Sequence, residues 1–87
     1  MPKNHTTMDE EFHMGHLIRA ELDRQERSVA WLARKVKCER TNCYYIFDRQ
    51  FVEVDLLRRI SCTLKHNFFN ELADYMDSVI SNSTDES

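Results

Sequence analysis

One glycine and one proline stand in 87 residues. Hairpin architectures need glycine for positive φ and proline for preset turns at their corners, so a β fold is excluded. No stretch approaches the ~20 consecutive apolar residues of a membrane-spanning helix. The N-terminal residues carry no apolar leader, since Lys3 is followed by polar residues and then Asp9-Glu10-Glu11. A cytoplasmic chain is therefore expected, with no membrane partner. Cys38, Cys43 and Cys62 are an odd number of thiols, which a reducing compartment explains more simply than a disulfide framework. A Gly-rich phosphate loop and a recognisable Ser/His/Asp arrangement are both missing, and so short a chain has little room to enclose a pocket. The expectation is no enzyme, no catalytic residue, no cofactor and no small-molecule ligand.

What is present points to helices. Apolar residues make up 41% of the chain and charged residues 31%, the balance of an ordinary globular domain. Hydrophobic spacing predicts five helices with connections of two to five residues. The first covers about Glu11 to Gln25, with Met14, Leu17, Ile18 and Leu22 as its stripe and Glu21 on its wet side. The second follows the N-cap Ser28 and runs to Lys35 or Val36. A third runs from between Glu39 and Thr41 to about Asp48, with Cys43, Ile46 and Phe47 inward. The fourth covers about Val54 to Lys65, its stripe being Val54, Leu57, Ile60, Ser61 and Leu64. Cys62 is placed on or near its inner side, and Arg58 and Arg59 away from the stripe. The fifth runs from about Phe68 to Val79 or Ile80. Residues 1–10 and 81–87 are expected to be disordered tails around one domain at 11–80.

Charge is unevenly spread. Residues 14–66 hold eleven Lys and Arg against seven Asp and Glu, whereas the remainder holds one Lys against eight acids. A basic centre between acidic ends suits either a nucleic-acid face or a mixed helical surface with solvated tails.

The most specific segment is Ser28 to Phe47. Apolar residues at 29, 32, 33 and 36 keep helical spacing, the pattern breaks after Val36, and a second apolar set follows at 38, 43, 46 and 47. Two short helices joined by a tight turn form a helix-turn-helix, whose second helix can enter a DNA major groove. With Ser28, Leu32-Ala33 and the Leu57, Ile60, Leu64 spacing, residues 14–72 resemble the Cro/C1-type (XRE-like) helix-turn-helix regulators. The resemblance implies an all-α, compact five-helix bundle of the lambda-repressor-like type, reading double-stranded DNA through helix 3, usually as a homodimer. Several positions depart from the family pattern. Val29 stands where a DNA-contacting Gln is frequent. Lys37 occupies the turn position usually given to Gly, at a cost of ~1 kcal/mol if left-handed. Phe47 replaces a common Glu, and Arg49 a Gly.

On this reading Arg40, Thr41, Asn42 and Tyr45 are the candidate base readers. Arg pairs with guanine, Asn with adenine, and Thr touches the thymine methyl. Arg27, Arg34, Lys35, Lys37, Tyr44 and Arg49 are the candidate phosphate contacts. Trp31, Phe69, Leu72, Tyr75, Met76 and Val79 are candidates for a dimer interface, Trp31 having the alternative of covering helix 1 or helix 5 within the chain. His13 and His16, with Glu10 before them, read as a solvated helix face. Cys38 and Cys43 read as apolar core positions, and no metal is expected. The alternative function is a protein-interaction module using Trp31 and helix 5.

Overall fold

The computed structural model describes residues 12–82. Among them the elements are α1 (Met14–Arg24), α2 (Val29–Val36), α3 (Arg40–Phe47), α4 (Val54–Leu64) and α5 (Phe68–Asn82), with no strand. Each helix turns its apolar stripe onto one core. Met14, Ile18 and Leu22 of α1 share it with Leu32, Ala33 and Val36 of α2. Cys43, Ile46 and Phe47 of α3, Leu57, Ile60 and Leu64 of α4, Val52 and Phe68 complete it. α2 packs on both α3 and α4, while α1 bridges α3 and α5. No helix among the described residues is long and apolar enough to cross a membrane.

The single glycine explains how α1 and α3 come so close. A β-carbon at Gly15 would overlap the carbonyl oxygens of Ile46 and Phe47. At the same junction the Met14 and Gly15 amides donate to the Gln50 and Arg49 carbonyls at 2.8 and 2.9 Å. Two of the free amides at the start of α1 are thus satisfied by the segment that ends α3.

Several boundaries and faces differ from the sequence expectation. α1 starts at Met14, not near Glu11, because His13 is its N-cap: His13 Nδ1 accepts from the His16 amide at 3.2 Å. The two imidazoles stack at 3.6 Å, so His13 is half-buried and not part of a solvated helical face. Val54 is 68% exposed, since the first residue of α4 precedes the turn that reaches the core; the half-buried Leu56 packs there instead. Cys62 is exposed, not inward. Leu17 is only partly buried. Helix α5 continues to Asn82, so Ser81 and Asn82 are helical and not tail. The expected tails at 1–10 and 83–87, and Glu11, lie outside the described residues.

Glu21 is the largest departure. Expected on the wet side, it is only 9% exposed and sits where α1 ends against the α4–α5 turn. Arg24 and Gln25 both donate to its carboxylate, Gln25 at 2.7 Å, and His66 Nδ1 lies 3.8 Å away. Gln25 also donates to the Leu64 carbonyl at 2.7 Å, joining the ends of α1 and α4. Hydrogen bonds from Arg24 and then Gln25 outweigh the desolvation penalty and lower the carboxyl to about 2.

Candidate nucleic-acid interface

α2 is built as its sequence predicts. Ser28 Oγ accepts from the Trp31 amide at 3.0 Å, closing the N-terminus. At the other end Lys37 adopts φ 59° and ψ 51°, the left-handed conformation expected of the turn. Its amide donates to the Arg34 carbonyl at 3.3 Å, and the Cys38 amide to the Ala33 carbonyl at 3.0 Å. These bonds terminate α2 and swing the chain into α3. Glu39 opens α3 in extended conformation, its carbonyl accepting from the Asn42 and Cys43 amides at 2.9 and 3.2 Å.

Because Cys43, Ile46 and Phe47 face the core, the 3.6-residue period turns Arg40, Thr41, Asn42, Tyr44 and Tyr45 outward. Tyr45 is 64% exposed and Tyr44, set edge-on to Phe47, 50%. α3 stands as a ridge between two clefts. Arg40 and Tyr44 border the one at the start of α2, with Ser28, Val29 and Ala30. Asn42, Tyr45 and Arg49 border the other, toward Leu56 and Arg59 of α4. All four candidate base readers therefore share one exposed element with Tyr44, and Arg49 lies just beyond its end.

The remaining candidates divide. Arg34 and Lys37 are exposed on α2 and its turn. Among the described residues, no carboxylate pairs with Arg34, Lys37, Arg40 or Arg49. Arg27 and Lys35 lie elsewhere, over the Trp31 ring at 4.5 and 6.0 Å from its centroid. That indole is half-buried against the core and borders a third cleft with Arg24, Thr63 and Lys65. Trp31 is thus partly buried at the corner where α1 and α4 end.

Arg59 was expected to point away from the α4 stripe, and it is exposed, but it also has a partner on another helix. Its Nη1 donates to the Val36 carbonyl at 2.9 Å, satisfying the last turn of α2. No period on α4 could reveal this, because the partner lies on another helix. A second feature missed in the sequence is an aromatic group joining three segments. Tyr75 of α5 stacks on Phe12 at 4.4 Å, and Phe51 lies 5.8 Å from Phe12 and 5.9 Å from Tyr75. Of the α5 interface candidates, Phe69 and Leu72 pack against the core, Tyr75 belongs to this group, Val79 is half-buried and Met76 is exposed, with Ile80 beyond it.

No protein family, curated protein or solved structure that was compared matches the chain.

Proposed function

We propose that this chain is a sequence-specific DNA-binding regulator of the lambda-repressor-like type, acting as a homodimer with α3 in the major groove. The observation that carries the reading is the composition of the α3 ridge. Arg40, Thr41, Asn42 and Tyr45 are exposed together on a short helix held from behind by α1 and α2, and the nearby cations Arg34, Lys37 and Arg49 have no acidic partner among the described residues. Cations without partners favour phosphate, and side chains that donate and accept favour base edges. A homodimer, paired on this reading through Met76 and the exposed edge of α5, has to present two such ridges one helical turn of DNA apart, about 34 Å.

Selection of bound duplexes from a random pool tests the reading directly. The expected result is an enriched palindrome that the Arg40→Ala/Asn42→Ala variant no longer selects. Failure of folded protein to enrich any motif at low salt overturns it. A second reading, a protein-interaction module, draws on the exposed apolar side chains of Phe51, Val54, Met76 and Ile80. Salt separates the two. Three phosphate-contacting cations per protomer, Arg34, Lys37 and Arg49, give a slope of log K against log salt of about −2.7 per protomer, whereas an apolar contact is nearly insensitive to salt.

A further inference from the structure

Cys38 and Cys43 are both free, and their sulfurs lie 3.4 Å apart. Cys38 sits in the α2–α3 turn, half-buried, and borders the open cleft shared by Asn42, Tyr45 and Arg49. Cys43 is fully buried on the inner face of α3. The two thiols differ in exposure, stand in contact, and bracket Glu39, Arg40, Thr41 and Asn42. Cys62, on α4, is exposed and has no thiol partner among the described residues.

We propose that Cys38 and Cys43 form a peroxide-oxidisable dithiol, a modification site that closes to an intrachain disulfide around the first turn of α3. Hydrogen peroxide or an organic hydroperoxide reaches Cys38 through the cleft. The Cys38 thiolate attacks one peroxide oxygen, the O–O bond breaks, and hydroxide or alkoxide leaves, giving a sulfenic acid. The Cys43 sulfur then attacks the Cys38 sulfur, the S–O bond breaks, and the departing oxygen takes up the thiol proton as water. Two thiols are oxidised to one disulfide, and one peroxide is reduced by two electrons.

Burial, with the neighbouring Cys38 thiol, pushes the Cys43 thiol up to about 12. Cys43 therefore serves as the resolving group and Cys38 as the attacking one. Closing the 3.4 Å separation to the ~2.05 Å of a disulfide requires the turn to move against α3, and Cys38, outside both helices, is the end able to yield. Arg40, Thr41 and Asn42 lie inside the resulting loop, so oxidation alters the presentation of three of the four proposed base readers. That consequence rests on the DNA-reading proposal; the disulfide itself does not.

The reduced full chain is treated with hydrogen peroxide, blocked with an alkylating agent and digested with trypsin without reductant. Cleavage after Lys37, Arg40 and Arg49 cuts the loop, so the expected product is the peptide 38–40 joined to the peptide 41–49. Cys62→Ser retains this product, and Cys43→Ser leaves a Cys38 sulfenic acid that dimedone captures. Alkylatable Cys38 and Cys43 after treatment, or linkage only through Cys62 or between chains, overturns the proposal. A second arm compares duplex affinity of oxidised and reduced Cys62→Ser. Oxidation is expected to weaken binding about tenfold or more, the loss of one bidentate base contact, and dithiothreitol to restore it. Unchanged affinity of the mapped disulfide form overturns the coupling. If reduced protein selects no duplex at all, the regulator reading fails while the peptide map still decides the disulfide.

Discussion

The arginines of α1 and α4 and the cations around α3 occupy similar exposed positions but keep different company. On α1, Arg19 pairs with Asp23 at 3.5 Å and Arg24 with Glu21. On α4, Arg58 and Arg59 share Asp55, at 2.9 and 3.5 Å. Around α3, Arg34, Lys37, Arg40 and Arg49 have no carboxylate partner among the described residues. The first group is absorbed by neighbours three or four residues away on the same helix, and Arg59 also closes the end of α2. The second group has no such neighbour among the described residues. Net charge conceals this contrast, because the acidic ends make the whole sequence −3.

The strongest way to break the comparison is the Arg40→Ala/Asn42→Ala variant. Each bidentate base contact is worth about 1–3 kcal/mol, so losing two is expected to lower specific affinity about 30-fold or more. Urea unfolding should show stability within about 0.5 kcal/mol of the parent, since both side chains are exposed. In the opposite sense, Arg58→Ala is expected to leave duplex affinity and its salt slope unchanged. A fall in slope matching that of a proposed phosphate contact would remove the distinction between the two groups.

Gly15→Ala tests whether the α3 ridge depends on its support. The added methyl meets the carbonyls that end α3, and overpacking of this kind costs about 1–3 kcal/mol. A lowered urea midpoint without change in the denaturant slope is the expected reading.

Acid unfolding sharpens the paired side. The folded chain holds the Glu21 carboxyl at about 2, against an ordinary 4.5. Its contribution to stability is therefore complete above the ordinary value and lost as pH falls toward about 2. Glu21→Gln should flatten the dependence of unfolding free energy on pH across that interval. An unchanged dependence would place the acid sensitivity elsewhere.

The smallest effect separates folding from binding at one position. Lys37→Gly relieves a left-handed residue and should raise stability by about 1 kcal/mol. The same change removes one cation and should make the salt slope shallower by about 0.9 per protomer. A stabilised variant with an unaltered slope would exclude Lys37 from the interface.

The sequence by itself determined the helices and most of the core. Leu32, Ala33 and Val36, then Cys43, Ile46 and Phe47, then Leu57, Ile60 and Leu64 are buried as their spacing requires. This was legible because the helical period ties the inward and outward faces of one element together. Ser28 and Lys37 were legible too, since capping and turn conformation depend on a few adjacent residues. The outward row from Arg40 to Tyr45 followed from the buried one. Only the tertiary structure decided what one helix does to another. It brought His66 to the buried Glu21 and turned Arg59 onto Val36. It also gathered Phe12, Phe51 and Tyr75 from three segments and gave the single glycine its purpose at the α1–α3 junction. Periodicity carries the direction of a side chain about its own axis, but not the identity of what another segment brings to meet it.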